Sequence, residues 1–257
     1  MVASISAEQL EALASIFPEF PRERAVLSHN GYNQQVFRVL PGVYENRAEV
    51  LAGFRTMPPT GHGDPRPVAP PDGFDAVVAF CGKFADWKRL DGLLRAAAIY
   101  EQQDKKILTL VIGSGPDEAR VQMHDLAAEL GLRRTYFVGP RPQDELTTLF
   151  NCADVGCFPS YREPFGLVFI ECMACGTPVI GADSGGPRDF MTPEVGTLVP
   201  ETDDRQALAK SLAAAVTTAI DDDWKHTKGP VAQAYVQERF SVMKQVSDLL
   251  DAVDRLT

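Results

Sequence analysis

No apolar run in this chain of 257 residues approaches the roughly 20 that a helix needs to cross a bilayer. The opening residues MVASISAEQLEAL also lack the basic segment and hydrophobic core of a secretory signal. Together these absences predict a soluble, cytoplasmic protein with no transmembrane segment. Positive charge is short as well. The 25 Lys and Arg against 35 Asp and Glu give a net charge of -10, which disfavours nucleic acid and anionic membranes but leaves room for a local basic site holding one phosphate group. Cysteine is sparse, at five residues. Cys152 and Cys157 bracket four residues and Cys172 and Cys175 bracket two, spacings at which thiolates can hold zinc. The favoured reading is plainer: Cys157 lies in the strand-like DVGCF, and Cys172 and Cys175 lie one helical turn apart in an apolar segment, where free cysteine packs as a small hydrophobe. No aspartate cluster suggests a required metal. Wholesale disorder is excluded by 45% hydrophobic and 23% charged residues, enough for one large domain or two modest ones.

What is present is an alternation. Short apolar runs of strand length fall at 76–81, 107–112, 135–138, 155–158, 178–181 and 197–199, separated by longer amphipathic stretches at 89–101, 116–131, 142–151 and 166–175, with another at 205–219. That order predicts right-handed crossovers on a parallel sheet: an α/β fold, a single Rossmann-like doubly wound sheet. ILTLVIG is apolar on both faces, as a strand covered by helices on either side should be. A nucleotide would bind at the carboxyl ends of the strands. Residues 57–73 carry six prolines and three glycines, which predicts a long surface loop within the domain. Before it, AVLSHNGYNQQVF reads as a strand and turn of the same sheet, and residues 231–256 read as two consecutive helices. SAEQLEALASIF is a single short helical pattern, so residues 1–25 are expected to form a helical segment and 26–257 the nucleotide-binding domain.

Three stretches can carry chemistry. VIGSGPDE follows a strand with G-x-G, but Glu118 stands where a dinucleotide fingerprint needs its third glycine, so a tight strand-to-helix turn is expected there. FCGKFADWKR also follows a strand. Its Gly82 permits close backbone approach, and Lys83 and Lys88 either grip a diphosphate or form a solvated surface pair. In EPFGLVFIE, Gly166 opens a helix whose first amides lack internal partners and so form an anion site. Glu163 precedes that helix and can reach a hydroxyl-rich group, while Glu171 projects from within it. An ionised carboxylate in apolar surroundings needs donors; a vicinal diol such as a ribose supplies two, and a backbone or basic partner would serve equally.

In order along the chain, GKFADWK, VIGSGP, FVGPRPQDELTTLFNCADVGCFPSYREPFGLVFIECMACGTPVIGADSGGPRDF and VGTLVPETDD resemble the C-terminal, donor-binding domain of retaining GT-B glycosyltransferases of family 4, the glycosyl transferases group 1. The match runs from about Val26 onward, and SHNGYNQQVF looks like the family's asparagine-glycine turn. The resemblance implies that Glu163 contacts the transferred sugar, that Phe165, Gly166, Leu167 and Val168 offer amides to sugar and phosphate, and that Glu171 holds the ribose. It implies a phosphate-binding role for Lys88 and for Lys83, which stands where an arginine is usual and so loses the bidentate fork. Gly82, Gly113, Pro140 and Arg141 match loops near the nucleotide, with backbone contacts to the base expected from the last two. Asp189 stands where a glutamate is more common and is assigned no role. The implied activity is transfer of a hexose-type sugar from a nucleotide sugar, with UDP-sugar the default donor, no tightly bound cofactor and no essential metal. Such an enzyme has two Rossmann-like domains. This chain shows one, so an acceptor-binding N-terminal domain or separate chain is expected as partner, and the chain alone should have little or no activity. Two alternatives stay open: a non-catalytic nucleotide-sugar-binding subunit or sensor, and a GT-B-like nucleotide-sugar epimerase.

Overall fold

The computed structural model describes residues 2–60, 64–103 and 105–254. It begins with a small unit, β1 (Val2–Ser4), α1 (Ala7–Ile16) and β2 (Ala25–Leu27), followed by α2 (Arg47–Ala52). The main alternation then runs β3 (Ala76–Cys81), α3 (Leu90–Tyr100), β4 (Ile107–Ile112), α4 (Asp117–Glu129), β5 (Thr135–Gly139), α5 (Gln143–Cys152), β6 (Val155–Phe158), α6 (Leu167–Ala174), β7 (Val179–Ala182) and β8 (Gly196–Val199). Four helices close the chain: α7 (Arg205–Asp221), α8 (Trp224–Thr227), α9 (Gly229–Arg239) and α10 (Val242–Asp254).

Strands β3 to β8 form one parallel sheet in the order β5-β4-β3-β6-β7-β8. It is covered on both faces because side chains alternate along each strand. On β3, Val77 and Ala79 join a core shared with α5, α6 and α9, whereas Ala76, Val78 and Phe80 join one shared with α3 and α7. Strand β4 divides likewise, Leu108, Leu110 and Ile112 on the first side, Ile107 and Val111 on the second. The buried Thr109 hydroxyl is satisfied by that of Tyr100 at 2.6 Å, so one polar group in a dry strand costs little. Cys152, Cys157, Cys172 and Cys175 are all buried within these cores, their thiols pushed up by desolvation.

The chain builds outward from β3 to β5, then returns to the other side of β3 to lay down β6, β7 and β8. The order therefore reverses between β3 and β6, and the crevice outside their carboxyl ends is where open α/β sheets take ligands.

One expectation is corrected. Ala25–Leu27 is a strand, but it belongs to a separate two-stranded sheet, pairing in parallel with Val2–Ser4. A parallel pair needs a crossover, and α1 supplies one within the same short stretch, so closing this local unit costs less entropy than joining the main sheet. The expected helical segment 1–25 thus includes a strand, and its sheet takes in the first residues after it. Residues 57–60 and 64–73 are irregular, as their prolines predict, yet Val68 is fully buried and Met57 N–H donates to Phe137 O at 2.7 Å, so this stretch covers the free edge of β5. Residues 61–63 of that loop, and residues 255 and 256 of the expected last helix, lie outside the described residues.

Candidate functional site

Five loops follow the carboxyl ends of β3 to β7, and backbone bonds lace them together. Gly82 N–H donates to Ile112 O at 3.0 Å and Gly113 N–H to Gly139 O at 2.9 Å, which registers the loops after β3, β4 and β5. Across the crevice, Tyr161 N–H donates to Trp87 O at 2.7 Å. Gly82 and Gly113 are half-buried and Pro140 is exposed. The Arg141 side chain is engaged inside the protein: Nε donates to Val138 O at 2.9 Å, Nη2 to Arg55 O at 2.8 Å, and Nη1 meets Glu145 at 3.1 Å. Its backbone remains the part that can face a ligand.

The two lysines of the β3 loop diverge. Lys83 is exposed, with no ion pair among the described residues. Lys88 ends a 3-10 turn, Asp86–Lys88, and its Nζ meets Glu163 Oε2 at 2.6 Å, both side chains being nearly buried at 13% and 11% exposure. A pair this dry is held by mutual attraction and is strongly perturbed if one partner is removed. The β3 and β6 loops therefore meet through opposite charges at the reversal point of the sheet.

Glu163 is held from behind by the loop after β7. Gly186 N–H donates to Glu163 O at 2.7 Å, Arg162 N–H donates to Ser184 Oγ at 2.8 Å, and Glu163 forms an isolated parallel bridge with Gly185. Gly185 has φ of 74°, and a Cβ there would lie 2.6 Å from Glu163 N, so only glycine fits. The sequence reading gave SGGPRDF no role in placing the acid; its paired glycines are the one local signal that two backbones come close here.

Helix α6 starts from Gly166 in the left-handed region at φ of 102°, with no side-chain cap. The amides of Leu167 and Val168 open the helix toward the crevice as donors without an intrahelical acceptor. Phe165 is buried against His29, Phe190 and Phe240, so its ring anchors the loop and its amide alone is available. Leu167 is exposed and Val168 half-buried. Glu171, one turn below Leu167 on the same face, is half-buried, and no donor reaches its carboxylate among the described residues. Desolvation pushes its pKa up to about 7. Cys81, at the end of β3, feels it too: its thiol is pushed up to about 12 by burial first and by the Glu171 charge second, with Lys88 opposing. Glu171 and Lys88 thus lie close enough to Cys81, at the carboxyl end of β3, for both charges to act on its thiol. Together the crevice offers a cation, a helix N-terminus, a carboxylate paired to that cation and a second carboxyl poised to accept hydrogen bonds.

Comparison with known proteins bears on the family and the fold. The family model described as glycosyl transferases group 1 matches residues 66–228. The D-inositol 3-phosphate glycosyltransferase of Salinispora tropica is 37% identical over 214 residues, covering 80% of this chain and 41% of that protein. The protein of that name from Saccharomonospora viridis is 37% identical over 187 residues, covering 69% and 42%. The chain thus spans about two-fifths of the length of these curated relatives. Among solved structures, HepE of Anabaena in complex with UDP and glucose superposes with a TM-score of 0.77 at 22% identity, over 99% of this chain and 63% of that one. Sucrose-phosphate synthase from Thermosynechococcus elongatus gives 0.76 at 28% identity, over 99% and 58%. The sheet order, the helices on both faces and the superposition make the fold a Rossmann-like half of the GT-B type, and the chain belongs to the glycosyl transferases group 1 family.

Proposed function

We propose that the chain is the donor-binding half of a retaining, family 4 glycosyltransferase that moves a hexose-type sugar from a nucleotide sugar to an acceptor. The observation that carries this reading is the meeting of Lys88 and Glu163 at 2.6 Å across the β3–β6 crevice, beside the open N-terminus of α6. In this reading Glu171 accepts from the ribose hydroxyls, Lys88, Lys83 and the amides of Leu167 and Val168 hold the diphosphate, and Glu163 accepts from hydroxyls of the sugar. Gly82, Gly113, Pro140 and Arg141 line the nucleotide with their backbones.

The reaction breaks the bond from the anomeric carbon to the diphosphate oxygen and forms one to the acceptor oxygen on the same face. The acceptor's proton passes to the departing phosphate. Negative charge grows on that phosphate, so the lysines and helix amides act most strongly in the transition state, where loss of one such donor typically lowers the rate by about a hundred- to a thousandfold. Glu163 positions the sugar and keeps Lys88 in place.

A partner completes the site in this proposal. A two-stranded parallel sheet is marginal by itself, parallel strands normally being buried on both faces, and exposed Ile16, Phe17 and Leu27 flank this one. Helix α10 likewise exposes Val242, Met243, Val246, Leu250 and Val253. An acceptor-binding domain, in the same polypeptide or a separate chain, fits these surfaces. Titration calorimetry with UDP, GDP and ADP and then their glucose conjugates tests the donor half, with UDP tried first because HepE is solved with it. We expect selective binding that is lost in Glu171→Ala, and no transfer to D-inositol 3-phosphate, the substrate in the relatives' names, by the chain alone. Turnover of donor and acceptor by the purified chain would refute the requirement for a partner.

A further inference from the structure

We infer that Asp189 is a positioning residue, tying the amino-terminal β1-α1-β2 unit to the loop that holds Glu163 and so coupling that unit to recognition of the donor sugar. Asp189 ends the 3-10 turn Gly186–Asp189, against which α1 packs. Its Oδ2 accepts from Ala7 N–H at 2.7 Å, a contact 182 residues apart in sequence. Ala7 is the first residue of α1, and the preceding Ser6 makes no side-chain cap, so Asp189 supplies from a distance the acceptor that a capping residue normally provides. A carboxylate at a helix N-terminus also meets the favourable end of the dipole. His29 Nε2 stands 3.5 Å from the same oxygen while its ring stacks on Phe165, so the chain leading out of β2 is drawn to the same point.

The other end of the turn carries the coupling onward. Gly186 N–H donates to Glu163 O at 2.7 Å, and a Cβ on Gly186 would lie 2.5 Å from both Phe165 Cα and Pro164 O. Packing this close leaves the turn no freedom to move independently of Glu163. A groove of about 150 Å³ runs between α1 and this loop, lined by Ser6, Gln9, Arg162, Glu163 and Gly186 among others, and the Asp189–Ala7 bond joins the same two elements.

The inference rests on the proposal that Glu163 contacts the donor sugar, and the test separates the two. Ala7→Pro replaces the donor N–H by a ring carbon that also pushes the Asp189 carboxylate away, while the helix itself tolerates it, because proline suits the first position of a helix and extended Ser6 accepts a following proline. Calorimetry of the chain with UDP and UDP-glucose is compared for wild type, Asp189→Ala, Asp189→Asn, Ala7→Pro and the double variant Ala7→Pro/Asp189→Ala. In Asp189→Ala and Ala7→Pro alike, UDP-glucose affinity should fall about tenfold while UDP affinity stays within about twofold, the scale of one charge-assisted hydrogen bond. Asp189→Asn, which keeps an acceptor oxygen but loses the charge, should fall between wild type and Asp189→Ala, and the double variant should be no worse than either single one. Equal losses for both ligands would make Asp189 merely structural, and an unaltered Ala7→Pro would remove it from the site; either result overturns the inference. If wild type binds UDP and UDP-glucose alike, the sugar-contacting role of Glu163 fails. Hydrogen exchange at Gly186 N–H then decides the coupling by itself, with faster exchange in Ala7→Pro expected and unchanged exchange overturning it.

Discussion

Glu171 is the most informative single residue of the crevice. Its folded pKa of about 7 lies above the roughly 4.3 of a free glutamate, so the folded state binds the proton more tightly than the unfolded one. Its contribution to stability is therefore full below about pH 4, shrinks through the window up to 7, and is gone above it. Glu171→Gln should flatten that loss and be more stable than wild type at pH 8 by about 1–3 kcal/mol in denaturant melts, an effect absent at pH 4. Donor binding should run the opposite way. Ribose hydroxyls donate to the ionised carboxylate, so binding releases a proton, and UDP-glucose affinity should rise between pH 6 and 8 in wild type and stay level in Glu171→Gln. Of the residues read from EPFGLVFIE, this acid was visible as a misfit in an apolar run. Its partnerless state was not, because that depends on what β3 and the loops bring to it.

Among the elements, the β7–β8 connection does more than the sequence reading allowed. Its glycines lie against the backbone of Glu163, so Gly185→Ala should displace the acid, cost about 1–3 kcal/mol of stability through strain at a left-handed residue, and weaken UDP-glucose binding more than UDP binding in the same titration. Ser184 Oγ, accepting from Arg162 N–H, holds the other side of that loop. The six main strands and most helices appeared where the apolar periodicity placed them, with ends shifted by one or two residues, because a strand buried on both faces leaves a continuous apolar run. Helix α2 and strand β1 left no such signal: one is a single turn and a half with Leu51 as its only buried residue, the other only three residues long.

At the scale of the whole molecule, the exposed apolar residues of α10 matter more than the net charge. Met243 is 74% and Leu250 60% exposed, while Ala252 is the only buried residue of this helix among the described residues. Leu250→Lys should therefore leave the melting free energy of the chain within about 0.5 kcal/mol, measured by urea unfolding. If the proposed acceptor domain covers this face, the same substitution should weaken co-purification of that domain with the chain.

The linear order of residues was enough to determine the alternation of strands and helices, the helix opened by Gly166 and the chemical types available near it, since these follow from periodicity, turn chemistry and charge within short stretches. Which groups meet was decided by the tertiary structure alone. Lys88 and Glu163 are 75 residues apart, and Asp189 and Ala7 are 182. Each pair comes together only because the sheet reverses its order between β3 and β6 and because α1 returns to the loop after β7, and such contacts depend on packing across the molecule, which no local pattern encodes.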